Sequence, residues 1–488
     1  MNAFDYFFEY SKNLDKQFVL GATEQVSYAD VYAHSLKIAR YLQQKIGKNK
    51  RVLLISNNSV FFIKSYFAIL KSGNIVVPIN PEIEGKNLDY VINKSNPELV
   101  FMSQRFFRFF PTISNEVVNE IKLEEIIRSN VNDINLELEN VIDYQIAEII
   151  FTSGSTGEPK GVVLSHKNLI SNTESILSYL KIGSNDIMQV VLPFYYCYGL
   201  SLLHTHARVG GSLVLTNSFM FLATVISDLK SYKCTGFAGV PSHFQMLLRK
   251  TKDFKNTELP DLRYVTQAGG KLHNSFIEEF TNAFPKIDFY VMYGQTEATA
   301  RLTYLPPHDL KNKMGSIGKA IPGVQIAILS AQGNFASDGE VGEIVAKGDN
   351  IMLGYFEDTE LTRETIVDSW LHTGDLGYTD DQGYIFITGR KRDFIKVGGN
   401  RLSSKEIEAV VLEIPYVIDC TISAVYDELW GESIKAEIIV NNKEDITPEY
   451  IREYCSKKLI RFKVPQVIEF KTEMNLNGNG KKVKAVSI

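Results

Sequence analysis

The chain has 488 residues, of which 44% are hydrophobic, and a formal net charge of −5. That length suffices for several domains with sizeable cores. The slight excess of acid and the lack of any Lys/Arg-rich block argue against a nucleic-acid surface. Tyr28–Lys45 has helical periodicity, with Ser27 placed to cap it. A strand is predicted over Arg51–Ser56, an apolar helix over Val60–Lys71 and a strand over Asn74–Asn80. The same alternation returns at Ile187–Pro193, Ser201–Val209, Ser212–Leu215 and Thr224–Lys230. Strands alternating with helices predict largely parallel sheets covered on both faces.

After about residue 310 glycine and short strands dominate, at Gly323–Leu329, Gly342–Lys347 and Gly383–Thr388. That texture predicts an antiparallel or barrel-like subdomain. The last hundred or so residues read as a small α+β domain. In it, Ser403-x-x-Glu406 is a capping box opening a helix to about Leu412. Strands are predicted at Val417–Val425, Ile434–Val440 and Gln466–Lys471, and a helix begins at Thr447-Pro448. The expected fold is α/β: a large N-terminal domain over 1–391 and a small mobile domain over 392–488. The large domain would hold doubly wound mixed sheets and the barrel-like part. Cys197, Cys234, Cys420 and Cys455 are scattered without metal-ligand spacing. The acidic start Met1–Glu9 does not resemble a secretory signal, and the longest apolar run, near Val190–Leu203, is broken by Pro193 and Gly199. A reduced, cytoplasmic protein without a membrane span is expected.

Residues 152–160 read Thr-Ser-Gly-Ser-Thr-Gly-Glu-Pro-Lys, between apolar strands Ile146–Phe151 and Gly161–Leu164. Glycines let backbone N–H groups turn inward, and hydroxyls add donors, so such a loop makes a concave nest for phosphate oxygens. Lys160 adds a point charge. No Gly-x-x-x-x-Gly-Lys-Ser/Thr occurs in the chain, and this loop joins two strands rather than a strand and a helix.

Four further motifs follow: Tyr293-Gly-Gln-Thr-Glu297, Trp370-Leu-His-Thr-Gly-Asp375, Gly389–Lys396 with Val397-Gly-Gly-Asn-Arg-Leu402, and Gly480-Lys481. With the loop, their order and spacing resemble the adenylate-forming enzymes: acyl-CoA synthetases, adenylation domains of peptide synthetases, and luciferases. The resemblance covers essentially the whole chain. It implies ATP-dependent activation of a carboxylic acid to an acyl-adenylate, with pyrophosphate release and transfer to a thiol. Such chemistry needs positioning and electrostatics more than covalent help.

By that resemblance, Thr152, Ser153, Gly154, Ser155, Thr156, Gly157 and Lys160 hold the ATP phosphates. Thr296 bonds the α-phosphate and Glu297 ligates Mg²⁺, for which a carboxylate is a suitable hard ligand. Asp375 accepts the ribose hydroxyls, with Arg390 near the same sugar. Tyr293, followed by Gly294, stacks or packs near adenine, and Gly269-Gly270 lets backbone approach the base edge. Lys481 supplies a mobile cation for adenylation. Asn477 stands where threonine is usual and Lys482 follows directly, so the neighbouring lysine remains an alternative. Arg392 occupies the pivot of a hinge, and Gly398 and Gly399 leave room for a pantetheine arm. The acceptor implied is CoA or, alternatively, an acyl carrier protein. A non-catalytic adenylate-binding protein and a luciferase-type oxygenase are more remote readings.

The acid site implied by the resemblance is lined by Phe194–Leu200, with Tyr196, by Phe237–His243, by Val265–Gly270 and by Val291–Gly294. Amino-acid activators place an aspartate near Tyr195 or Tyr196, whereas this chain reads Pro-Phe-Tyr-Tyr-Cys-Tyr-Gly. A buried unpaired ammonium would cost several kcal/mol. A fatty or aryl acid is therefore expected rather than an α-amino acid. His243 is either a polar contact there or a satisfied core histidine.

Overall fold

The computed structural model describes residues 1–488 except 23, 111–112, 130–140, 153–157, 252, 391–393, 398–399, 428–430, 442–445 and 475–488. Among the described residues, two mixed sheets form the large part of the molecule. In one, the parallel strands Gln17–Leu20, Ser212–Leu215, Ile187–Val190, Gly236–Gly239, Tyr264–Gln267 and Asp288–Tyr293 lie side by side. Antiparallel strands close its two edges. In the other, Val117–Val118, Leu99–Met102, Arg51–Ile55, Ile75–Ile79 and Ile146–Thr152 run parallel, then Lys160–Ser165 turns back antiparallel.

The helices form where their sequence says they should. Ser27 caps Tyr28–Ile46 by accepting from the Asp30 amide, and Ser59 caps Val60–Lys71 by accepting from the Phe62 amide. The latter helix is apolar on nearly every face, and Phe61 to Leu70 are all buried. A helix hydrophobic all round belongs between layers rather than on a surface. It packs with Phe4, Phe7 and Phe8 of the first helix and with the helix Cys197–Val209 in one core.

After residue 320 the chain builds the expected antiparallel sheet, from Val324–Leu329, Gly342–Gly348, Ile366–Val367, Trp370–Thr379 and Ile385–Arg390. The C-terminal part is α+β: Val417–Asp427 and Gly431–Val440 pair antiparallel, and Val467–Phe470 lies parallel beside them. Thr447 caps Pro448–Lys458 by accepting from the Tyr450 amide. The helix after Ser403, Ser404–Leu412, carries Glu406 in its first turn. The Glu406 carboxylate accepts from Lys463 Nζ at 2.6 and 2.7 Å, so it is engaged by a tertiary ion pair. This part rests on the helix Pro241–Lys250: Arg249 donates to the Pro415 carbonyl, and Asn441 Nδ2 donates to the Arg249 carbonyl at 2.9 Å. The hinge position Arg392 lies outside the described residues, as does the boundary drawn between 391 and 392. No helix of the described residues is long and apolar enough to cross a membrane, and the four cysteines are buried.

Candidate active site

The strands on either side of the phosphate-type loop form an antiparallel pair with Thr152 opposite Lys160, and Thr152 Oγ1 donates to the Lys160 carbonyl at 3.4 Å. Ser153, Gly154, Ser155, Thr156 and Gly157 lie outside the described residues. Lys160 Nζ sits 5.8 Å from the centre of the Tyr355 ring. Tyr355 comes from a short strand, Gly354–Tyr355, that pairs with Val162 and Val163. Its hydroxyl donates to Glu297 Oε1 at 2.9 Å. Burial first, and the Glu297 charge second, push that phenol well above its ordinary range, so it remains a donor.

Glu297 is presented by a tight structure. The strand Asp288–Tyr293 ends at Gly294, where a Cβ would stand 2.0 Å from the Ala300 carbonyl oxygen. Only glycine fits, and the chain can fold back on itself through a single 3₁₀ turn, Thr296–Ala298. Thr299 follows at φ 63° and ψ −53°, an unusual state for a β-branched residue. Such strain costs on the order of 1–3 kcal/mol. Thr299 Oγ1 donates to the Asn350 carbonyl at 2.7 Å, and Asn350 Nδ2 donates to the Arg301 carbonyl at 2.8 Å. These bonds hold Thr296 and Glu297 in place. Thr296 is buried, with its hydroxyl 3.5 Å from Cys197 Sγ at the start of the helix Cys197–Val209.

Three residues before Thr296, Tyr293 donates its hydroxyl to Asp375 Oδ2 at 2.6 Å. Arg390, paired in register with Asp375 on the neighbouring strand, donates Nε to Oδ1 at 2.6 Å. The Asp375 side chain is 4% exposed and that of Arg390 is 59% exposed. Among the described residues each carboxylate oxygen therefore has one protein donor and a remaining lone pair. The sequence places Tyr293 beside a base; its hydroxyl is spent on the carboxylate assigned to the sugar.

The wall beyond Thr296 is aromatic. Tyr196 is buried at the entry to the Cys197–Val209 helix, and Tyr198 donates to the Thr266 carbonyl at 3.0 Å. His243 stacks on Phe219 at 4.1 Å, and burial lowers its pKa to about 3, so it stays neutral. Among the described residues its buried Nδ1 has no partner. Gly269 adopts φ 85°, and Gln267 Nε2 donates to the Gly270 carbonyl at 2.7 Å, tying down that step.

Of the predicted site residues, the fold brings Thr152, Lys160, Thr296 and Glu297 into one group and Tyr293, Asp375 and Arg390 into an adjoining one. Gly398, Gly399, Arg392 and Lys481 lie outside the described residues. Tyr355 and Arg301 were not foreseen. Tyr355 had no signal beyond its place after Gly354. Arg301 stood out as the one charge in the run Ala298-Thr-Ala-Arg-Leu302. Among the described residues no cluster of three or more metal-ligating side chains occurs. Glu297 nonetheless suits Mg²⁺. Tyr355 engages one of its oxygens, leaving the other for an ion that usually takes one or two carboxylates plus substrate phosphates.

The AMP-binding enzyme profile matches residues 9–356, and the AMP-binding enzyme C-terminal domain profile matches 406–481. The chain is 29% identical to the long-chain-fatty-acid–CoA ligase FadD13 of Mycobacterium tuberculosis, over 95% of this chain and 92% of that one. It is 28% identical to the oxalate–CoA ligase of Arabidopsis thaliana, over 88% and 86%. In three dimensions it is similar to the anthranilate CoA ligase AuaEII in complex with anthranoyl-AMP. There the TM-score is 0.91 at 24% identity, over 99% of this chain and 95% of that one. The profile match spans well over half the chain, and the chain belongs to the AMP-binding enzymes, the adenylate-forming superfamily of AMP-forming acid–thiol ligases.

Proposed function

We propose that this enzyme condenses a carboxylic acid with ATP to an acyl-adenylate, releases pyrophosphate, and passes the acyl group to the thiol of CoA. The observation that carries the reading is the adjacency of two groups. A cation and a carboxylate joined through Tyr355 lie at the hairpin that would hold triphosphate. Next to them a buried carboxylate, itself held by Tyr293 and Arg390, has free lone pairs for two ribose hydroxyls.

In this reading Lys160 and the loop 153–157 bind the β- and γ-phosphates. The Thr296 hydroxyl donates to the α-phosphate. Glu297, oriented by Tyr355, holds Mg²⁺, which when bound offsets the charge on the leaving pyrophosphate. Asp375 orients the ribose, while Arg390 is paired with it. Tyr293 packs between base and sugar through its ring, and Gly269-Gly270 borders the adenine edge. Lys481 contributes its charge in the adenylation orientation only. Arg392 is the pivot that brings Gly398-Gly399 to the acyl-adenylate for thiol attack. The domains 1–391 and 392–488 would be the two rotating bodies.

The acid has an apolar body, fatty or aryl, seated among Tyr196, His243 and the segments Val265–Gly270 and Val291–Gly294. The relatives' range, from long-chain fatty acids to oxalate, supports a carboxylic acid and CoA as the substrates without choosing the acid. The test is pyrophosphate release over a panel of carboxylic acids, with and without CoA. Release that needs an acid and is followed by CoA-dependent AMP release is expected. Activation of α-amino acids in preference to all others would refute the assignment of the acid. Acceleration by a carrier protein's pantetheine but not by free CoA would refute the acceptor.

A further inference from the structure

Arg301 is an anomaly among the buried cations. It is 2% exposed, and an arginine side chain stays charged at any pH the protein meets. Its contacts are weak or neutral. Nε lies 3.3 Å from Met292 Sδ, Nη1 donates to the Ala300 carbonyl at 3.2 Å, the guanidinium also hydrogen-bonds the buried Tyr179 phenol, and its carbon is 4.0 Å from the centre of the Tyr198 ring. Among the described residues no carboxylate pairs with it. Other well-covered cations do have one: Lys64 with Glu124, Arg249 with Glu279, and Lys313 with Asp380. A charge taken out of water without a counter-charge is destabilising, and proteins keep such a group when something else meets it.

Its surroundings say what that something is. Tyr198 belongs to the first turn of the Cys197–Val209 helix and bonds to Thr266. Met292 precedes Tyr293 on its strand. Gly294 lets the backbone at Arg301 come so near that a Cβ there would stand 2.8 Å from the Arg301 Cα. The guanidinium thus sits where three of the four segments assigned to the acid converge. Thr296 and Glu297, assigned to the nucleotide, are only a turn away in the chain, and the charge of Arg301 reaches the buried Tyr196 phenol.

We propose that Arg301 receives a second carboxylate of the substrate, and that the acid this enzyme activates is a dicarboxylic acid with an apolar body. The planar guanidinium fork matches a carboxylate bidentately, and the Tyr198 face leaves its edge for that purpose. The first carboxylate goes to the α-phosphorus; the second is anchored by Arg301 and fixes the length of the body between them. The proposal rests on the acid site assigned above and names its substrate class.

The experiment uses the full chain and matched acids: hexanoate against adipate, and benzoate against terephthalate. kcat/KM is read from pyrophosphate release, and Tm is read with each acid in the absence of ATP. A site built for a hydrogen-bonding group should reject an analogue that lacks it, so the diacid of one pair should lead its monoacid by at least about 100-fold. In Arg301→Leu that preference should vanish. Arg301→Lys should retain part of it, and Arg301→Gln little. The change should fall mainly on KM for the diacid. A diacid-dependent rise in Tm should be lost in Arg301→Leu and Arg301→Gln. Wild-type turnover of both monoacids at no less than the diacid rate overturns the proposal and leaves the ligase standing. So does an equal loss of monoacid and diacid turnover in Arg301→Lys and Arg301→Gln, which would mark a structural role. Diacid binding that raises Tm through Arg301, without pyrophosphate release from any acid, would refute the ligase and keep the anion site.

Discussion

Two buried carboxylates in this chain each accept a tyrosine hydroxyl, and they are used in opposite ways. Asp375 accepts from Tyr293 and is paired with Arg390, whose side chain remains mostly in water. Glu148, on the strand that leads into the hairpin loop, accepts from Tyr66 at 2.8 Å, and no cation pairs with it among the described residues. Burial raises its pKa to about 7, opposed by the Tyr66 bond. Tyr66 also lies 2.8 Å from His204 Nε2, and His204 is held neutral, its pKa lowered by burial to about 3. The same pair of side chains is thus a charged ligand site when an arginine closes it from the solvent side. It becomes a near-neutral core network when a histidine closes it from within. What separates them is access to a counter-charge.

The largest effect expected is on the charged member. Asp375→Asn should lower kcat/KM for ATP by about 10²–10³-fold, the scale of losing one preorganised charged contact, while Tm barely changes. Steady-state kinetics together with a melting curve check both halves. A similar loss in activity with a collapse in Tm would mean that Asp375 is a core residue like Glu148, and the contrast would fail.

Glu297→Gln should be comparable, about 10²-fold, and steepest at limiting Mg²⁺, because the ion loses its carboxylate. A Mg²⁺ titration of pyrophosphate release in both proteins measures it. Unchanged Mg²⁺ dependence would remove Glu297 from the metal.

The core network predicts a pH profile. A carboxyl raised in the folded state, from 4.5 to about 7, stabilises most below the unfolded value and loses that contribution as pH rises between them. The full loss is roughly 3 kcal/mol. A histidine lowered from 6.5 to about 3 acts oppositely: its contribution is present above 6.5 and lost as pH falls. Between 4.5 and 6.5 the two slopes cancel. Denaturant unfolding of Glu148→Gln should therefore show stability rising with pH in that window. His204→Gln should show it falling. Parallel profiles in both variants and wild type would show that neither group titrates with folding.

Tyr66→Phe should cost about 1–3 kcal/mol by leaving the buried Glu148 without its donor. It should leave the KM for ATP unchanged. The smallest effect expected is on stability in Arg390→Ala, below about 1 kcal/mol for so exposed a cation. Its KM for ATP should nonetheless rise. If Arg390→Ala destabilises more than Tyr66→Phe, the counter-charge at Asp375 is structural and the comparison reverses.

Much of the fold was legible from local chemistry. Ser27, Ser59 and Thr447 cap helices because a side-chain oxygen can satisfy an orphan amide wherever it stands before a helical pattern. The helix over Val60–Lys71 and the strand after it follow from short-range periodicity, and the observed bounds differ by a residue or so. The hairpin on either side of the phosphate-type loop was legible for the same reason. The Ile187 strand is shorter than predicted, ending at Val190, three residues before Pro193.

The motifs named Asp375, Arg390, Tyr293 and Glu297 separately, from residue type and order along the chain. That Tyr293 and Asp375, 82 residues apart, share a proton bond depends on how two sheets meet. So does the bond between Tyr355 and Glu297, 58 residues apart. Spacing carries no record of such pairs, since each is made by packing after the elements exist. Glu406 shows the same limit: beside its place in a local capping pattern it pairs with Lys463, 57 residues away, which spacing alone does not record. Arg301 is the clearest case. In the sequence it is one charge in an otherwise uncharged run; its burial, and the lack of a carboxylate beside it among the described residues, exist only once Gly294 has folded the chain against Tyr198 and Met292.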